Sequence, residues 1–128
     1  MNPVARELAN VAYTHLCHAG VTGDWIPLLS LTSEDFEFLF PAGPHRGHFF
    51  GREGKQKFLE WVAKRQQSRS SKTLESALCG ERWAVFCVDS VGQDPQGRFQ
   101  THVALFFKVE GQQITGCREY IGDMLAWV

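Results

Sequence analysis

The chain has 128 residues, and its 13 Lys and Arg against 14 Asp and Glu leave a formal charge of −1. This length fits one domain with its own core, and the near-zero charge argues against nucleic acid, because phosphate binding needs an excess of cations. Aromatic residues are the unusual feature, with ten Phe, four Trp and two Tyr. So many rings in a small protein suggest a thick core, an apolar cavity or an apolar interface.

The first residues and the cysteines bear on location and cofactors. Charges interrupt the chain from Arg6 onwards, and no run approaches about 18 apolar residues, so we expect neither a signal peptide nor a membrane contact. The four cysteines form no C-x-x-C pair, and no dinucleotide or phosphate-loop motif occurs. We therefore expect a cytoplasmic protein with reduced thiols, no cofactor and no metal.

Two helices and a strand are predicted in the first third of the chain. Asn2 and Pro3 suit the start of a helix, apolar residues then recur at helical spacing, and Gly20 is predicted to end it. Asp24 is placed to cap a short second helix that includes Trp25. Residues 32–35 read as a turn, residues 36–40 as a strand, and residues 41–47 as a loop.

The rest of the chain is predicted to form a third helix and four strands. Residues 52–67 have helical periodicity, with Phe58, Trp61 and Arg65 on one broad face. Strands are predicted at residues 72–78, 82–91, 99–109 and 113–120, separated by turn sequences. Helices followed by a run of antiparallel strands predict an α+β fold with the helices on one face of the sheet.

The long strands are apolar on both faces, although helices can cover only one of them. On the third long strand Val103 and Leu105 point one way, while Phe106 points the other, together with Phe86 of the strand before it. A second copy of the chain is the simplest cover for the outer face. We therefore expect a homodimer that forms through Phe86 and Phe106.

The order of elements and several short motifs resemble the nuclear transport factor 2-like (cystatin-like) superfamily, in its SnoaL-like and ketosteroid-isomerase-like branch. The resemblance covers almost the whole chain. It implies a single SnoaL-like domain over residues 1–128, built as a cone-shaped, curved mixed sheet wrapped around N-terminal helices, with an apolar cavity. The motifs are Gly23-Asp24-Trp25, the strand before Pro41, Arg46-Gly47, Gly51-Arg52-Glu53-Gly54, Phe106-Phe107-Lys108-Val109 and Arg118-Glu119-Tyr120-Ile121.

The same resemblance implies which side chains meet a ligand. Inward strand positions and apolar helix positions would line the cavity, and His45 lies in the loop at its expected mouth. The implied ligand-binding residues are Leu16, Trp25, Phe40, His45, Phe58, Trp61, Cys87, Val103, Leu105, Phe107, Cys117 and Ile121.

The catalytic groups of two similar enzymes can be compared with this chain. The acidic and phenolic positions of ketosteroid isomerases fall on Phe40, Leu16 and Leu105, whose apolar side chains supply neither a carboxyl nor a phenol group. The two carboxylate positions of limonene epoxide hydrolase fall on Asp89 and Glu119, and SnoaL-like cyclases also use an acidic pocket residue. Asp89 and Glu119 are therefore the catalytic candidates.

Two classes of function follow from this resemblance. The chain is either a cofactor-independent isomerase, cyclase, dehydratase or hydrolase acting on a small apolar molecule, or a non-catalytic module of the same fold that binds a ligand or only dimerises. The orientation of Asp89 and Glu119 distinguishes the two classes, because catalysis needs carboxylates that face the cavity and are not already bound in salt bridges.

Overall fold

A computed structural model of the chain describes the backbone of residues 1–44 and 46–127, with side chains as far as residue 122. Within these residues, none of the helices is long and apolar enough to cross a membrane. The elements are α1 (Pro3–Thr22), α2 (Ile26–Leu29), β1 (Thr32–Phe40), β2 (Gly47–Phe49), α3 (Gly51–Arg65), β3 (Arg69–Cys79), β4 (Trp83–Asp94), β5 (Gly97–Glu110) and β6 (Gln113–Trp127).

The described strands form one curved sheet in the order β2-β1-β6-β5-β4-β3. β1 and β6 run parallel and the other neighbours run antiparallel, so the sheet is mixed. α1 packs against β3, β4, β5 and β6, and α3 packs against β1 and β2. The predicted α+β fold, with a curved mixed sheet and helices on its inner face, is confirmed.

Several element boundaries differ from the sequence prediction. β1 begins at Thr32, inside the predicted turn, and residues 47–49, which start at the last residue of the predicted loop, form β2. β2 pairs antiparallel with β1 through three residues, which is too short a run for an alternating pattern to reveal. α1 continues past Gly20 to Thr22, and Gly23 caps it with a left-handed backbone.

Aromatic rings fill the core between α3 and β1. Phe36 stacks on Phe58 with ring centroids 4.5 Å apart, and Trp61 packs edge-on against Trp25 at 5.7 Å. The helix can approach this closely because of Gly54, where an added Cβ would lie 1.8 Å from the Phe36 carbonyl oxygen. Eight of the sixteen aromatic residues are buried in the core.

The inner face of β4 is opposite to the one predicted. Ala84, Phe86 and Val88 are buried on the inner face, and Phe86 stacks on Tyr13 of α1 at 4.5 Å. The prediction that Phe86 lies on the outer face is therefore wrong, and so is the prediction that Cys87 and Asp89 point inward. Because both faces of this strand are apolar, alternation alone could not show which face is buried. The stacking of Phe86 on Tyr13 accompanies burial of the face that carries Phe86.

A charged cluster ties four strands together on the outer face. The Glu37 carboxylate of β1 accepts hydrogen bonds from His48 of β2, Lys108 of β5 and Arg118 of β6, at 2.9, 3.3 and 2.9 Å. Burial by itself would raise the pKa of this carboxyl group, but the three hydrogen bonds outweigh it and hold the pKa below its usual range.

We predict that Glu37→Gln lowers the free energy of unfolding by about 1.5–3 kcal/mol at neutral pH, since charge-assisted bonds are lost. Because the folded pKa of Glu37 is depressed, its contribution is present above the unfolded pKa and disappears as the pH falls through the folded value. Urea unfolding of both proteins from neutral pH to about pH 2 measures this difference.

Glu81→Gln is the control for that prediction, because Glu81 is exposed between β3 and β4. It should change the unfolding free energy by no more than about 0.5 kcal/mol at any pH. A Glu37→Gln protein as stable as wild type would show that the cluster does not stabilise the sheet.

Candidate functional site

A cavity of about 200 Å³ opens on the inner side of the sheet, where the C-terminal ends of α1 and α3 meet β3, β4, β5 and β6. Its apolar wall is made by Leu16, Trp25, Trp61 and Val103, and Ile121 stands at 37 % exposure on its border. The indole N–H groups of Trp25 and Trp61 are buried with no hydrogen-bond partner in the described part of the chain. The cavity thus combines an aromatic wall with unsatisfied donors beside it.

An ion pair with a buried carboxylate borders the cavity. Glu119 of β6 is only 2 % exposed, and its carboxylate accepts a hydrogen bond from the Arg65 guanidinium at the end of α3. Arg65 also lies over the ring of Trp61, with its Cζ 4.7 Å from the centroid. Aromatic stacking and the carboxylate together hold the guanidinium in place, so the charge of Glu119 is balanced within the protein.

A lysine from β3 brings a second cation to the cavity. Lys72 is an inward residue whose Nζ donates a hydrogen bond to the hydroxyl of Ser70 at 2.8 Å. Burial lowers the pKa of the Lys72 amine, and the nearby charge of Arg65 adds to this, while Glu119 and Cys17 act in the opposite direction. The amine is therefore a largely desolvated group facing a cavity.

Gly20 explains how this amine reaches the wall. A Cβ at Gly20 would lie 2.9 Å from the Ser70 hydroxyl and 3.0 Å from Lys72 Nζ. The glycine that we predicted to end α1 instead lets the polar end of β3 approach the helix. The polar side of the cavity also includes Ser68, Asp94 and two buried hydroxyls, on Ser90 and Thr101.

Asp89 lies on the opposite side of the sheet from Glu119. Its carboxylate is 3.2 Å from Gln100 Nε2 and 3.7 Å from His102 Nε2, both on the outer face of β5. Glu119 is therefore the carboxylate of the two that reaches the cavity, and the expectation that Asp89 lines it is wrong. The cause is the reversed face of β4 described above.

The other predicted site residues fall into four groups. Five of the twelve ligand-binding candidates line the cavity, and they are Leu16, Trp25, Trp61, Val103 and Ile121. Another five point inward but are buried in the core away from it, and they are Phe40, Phe58, Leu105, Phe107 and Cys117. Cys87 lies on the outer face, and His45 lies outside the described residues.

Sequence reasoning missed the two cavity cations. Arg65 follows Trp61 by four residues on the broad face of α3, and that spacing was a usable signal. Lys72 lies among Ser and Thr at the start of β3, where no apolar alternation indicates which side chains point inward. In the described part of the chain, no cluster of His, Cys, Asp and Glu has the geometry of a metal site.

Several solved structures are similar to this one in fold. An NTF2-like protein from Anabaena variabilis is 27 % identical, with 94 % of this chain and 90 % of that one aligned at a TM-score of 0.78. The epoxide hydrolase/cyclase-like enzyme SalBIII, which takes part in pyran ring formation in salinomycin, is 13 % identical over 95 % and 97 % of the two chains, at a TM-score of 0.71.

A protein with a ketosteroid isomerase-like fold from Catenulispora acidiphila, in complex with trimethylamine, is 18 % identical over 85 % and 83 % of the chains, at a TM-score of 0.65. Family models gave no match to this chain, and curated sequences gave none either. The structure accordingly has the NTF2-like, cystatin-like fold, and the resemblance inferred from the motifs is confirmed.

The placement of the two acidic candidates gives a direct prediction. Glu119→Gln should lower the free energy of unfolding by about 1.5–3 kcal/mol, because the amide leaves the partly buried Arg65 without its counter-charge. Asp89→Asn is the matched control on the outer face, and it should cost no more than about 1 kcal/mol. Urea unfolding of the two variants would contradict this placement if Asp89→Asn were the more damaging change.

Proposed function

We propose that the chain binds a small molecule with a flat apolar body in the cavity described above. The observation that carries this proposal is the cavity of about 200 Å³, in which the rings of Trp25 and Trp61 form an apolar wall and Arg65 and Lys72 supply polar groups. A few polar groups set among aromatic walls are typical of small-molecule sites. The volume is below the range of about 300–1,000 Å³ for drug-sized ligands, so the ligand is small.

Two features support binding rather than catalysis by paired carboxylates. Asp89 lies outside the cavity, and Glu119 is closed into an ion pair with Arg65. The solved structures of the same fold include both a cyclase-like enzyme and a protein in complex with trimethylamine, so the fold accommodates either use.

We predict that Val103→Phe abolishes ligand binding, because Val103 lines the cavity and the added ring fills it. Amide chemical-shift changes of labelled protein, titrated with indole, 2-naphthol and benzamide, measure binding. In the wild type we expect saturable shifts confined to the ends of α1, α3 and β3.

Val91→Phe is the matched control, since Val91 lies on β4 and is 45 % exposed. It should bind the three compounds like the wild type. The proposal fails if none of the compounds shifts these amides, or if Val103→Phe binds them unchanged.

A second candidate is cofactor-independent acid–base catalysis in the same cavity. It is favoured by one observation, which is that the Glu119 carboxylate and the Lys72 amine line the same cavity. Such a pair can remove a proton at one atom of a substrate and return it at another. Turnover of a substrate that is lost in Glu119→Gln and kept in Asp89→Asn would support this candidate, and equal turnover in both would exclude it.

We also propose that the outer face of the sheet binds a second copy of the chain. Apolar side chains cover its centre, where Phe106 lies 5.5 Å from the ring of Tyr120 and 6.3 Å from that of Trp83. One end of this face carries Lys108 and Arg118 around the single Glu37 carboxylate, and the other end carries Asp89 and Glu75 on either side of His102. A two-fold axis lying in the interface brings opposite charges together around the apolar centre.

Phe106→Glu should convert the dimer to a monomer, because it places a charge in the apolar centre of the interface. Leu59→Glu is the control, since Leu59 is a 41 % exposed residue on α3. Sedimentation equilibrium at about 10 µM, a concentration at which a complex of about −8 kcal/mol is largely formed, measures the mass. A wild type that sediments as a monomer would contradict the proposal.

The cytoplasm is the proposed location, and the whole chain is proposed to be a single SnoaL-like domain. All four cysteines are free thiols, which suits a reducing compartment. Thiol titration of protein purified anaerobically from the cytoplasm, together with limited proteolysis, tests both statements.

A further inference from the structure

Lys72 is a cation whose charge the described part of the chain does not balance directly. Its Nζ donates to the Ser70 hydroxyl, and no described carboxylate lies within 4.0 Å of it. Glu119 is the acidic group whose field reaches it, but that carboxylate is already bonded to Arg65. Asp94 also lines the cavity, but its carboxylate accepts a hydrogen bond from the backbone N–H of Gln96 and lies more than 4.0 Å from Lys72 Nζ. The Lys72 amine is thus the cavity cation without a direct counter-charge in the described part of the chain.

The position of Lys72 makes this imbalance costly. The amine is packed against Gly20 of α1, at a place where a methyl group would lie only 3.0 Å away. Taking an ammonium group out of water without a partner is unfavourable, and the lowered pKa of Lys72 reflects this cost. An anion in the cavity would relieve it.

We propose that the ligand is a small aromatic or alicyclic acid whose carboxylate binds Lys72 and the Ser70 hydroxyl. This rests on the function proposed above and specifies the chemical class of the ligand. The flat body of the acid lies against Trp25 and Trp61, and its carboxylate takes the place of the missing counter-charge.

The geometry favours an anion over a neutral or cationic analogue. An ammonium–carboxylate hydrogen bond is about twice as strong as a neutral one, and it gains further strength where water is excluded. A primary amine placed beside the Ser70 hydroxyl would instead face Lys72 with a like charge. The order of affinity expected is therefore acid, then amide, then amine.

Benzoate, benzamide and benzylamine test this order, because they share one ring and differ in the head group. Isothermal titration at about neutral pH, supported by amide chemical shifts, measures each affinity. In the wild type we expect benzoate to bind at least about tenfold more tightly than benzamide, a difference of about 1.4 kcal/mol. Benzylamine should bind more weakly than both.

Lys72→Met keeps the length of the side chain and removes its charge. It should reduce benzoate affinity to that of benzamide while leaving benzamide unchanged, and it should not lower stability, because replacing an unpaired buried charge by an apolar group removes a desolvation cost. Lys64→Met is the matched control, since Lys64 is an exposed lysine of α3. It should bind all three compounds like the wild type.

The pH profile supplies an independent readout. The groups that face the Lys72 amine are Cys17 of α1, Arg65 of α3 and Glu119 of β6. Wild-type affinity for benzoate should fall as the pH rises through the pKa of Lys72, because the amine then loses its proton. Affinity for benzamide should change little over the same range, and Lys72→Met should lose the fall seen with benzoate.

Three outcomes would overturn the inference, and one of them would also contradict the proposed function. If benzamide binds as tightly as benzoate, the cavity binds ligands but does not select an acid. If Lys72→Met keeps the preference for benzoate, another cation provides it, and Lys72→Gln repeats this test should the Met variant fold poorly. If neither compound binds, and indole and 2-naphthol do not bind either, the proposed function itself is wrong.

Discussion

The ion pair between Arg65 and Glu119 sets the chemistry of the cavity. It links the last residue of α3 to the inner face of β6, and the aromatic ring of Trp61 supports the guanidinium from one side. A carboxylate as deeply buried as Glu119 needs such a partner, because an unpaired charge at this depth would cost several kcal/mol. Since the Glu119 carboxylate is committed to Arg65, it makes no direct ion pair with Lys72. The Lys72 amine is therefore the cavity cation that a ligand's anion can meet.

The aromatic excess of the chain has three structural uses. Phe36 and Phe58 belong to the core between α3 and β1, where Gly54 allows close packing. Trp25 and Trp61 are shared between the core and the cavity, so the wall that meets a ligand is held by the same contacts that stabilise the fold. The rings of the outer face, including Phe106, form a separate row that is suited to a second copy. A site supported by the core in this way is preorganised.

The fold could be predicted from the sequence, whereas the site could be predicted only in part. Strand β5 was oriented correctly because Val103 and its inward neighbours contrast with His102 and Lys108 on the other face. Strand β4 has no such contrast, and Asp89 was therefore assigned to the cavity when it lies outside. Lys72 was missed because its inward orientation depends on contact with α1 at Gly20, a tertiary contact that has no local pattern.

The most direct test of this account is the titration of Lys72 itself. NMR of protein with labelled lysine side chains, with Lys72 assigned through the Met variant, follows each amine from about pH 6 to about pH 12, across the ordinary lysine value of about 10.4. A buried amine without a counter-charge should titrate below the exposed lysines, and it should titrate lower still in Glu119→Gln, where a favourable field is lost. A Lys72 that titrates at the ordinary lysine value, and whose pKa does not change in Glu119→Gln, would contradict the central claim.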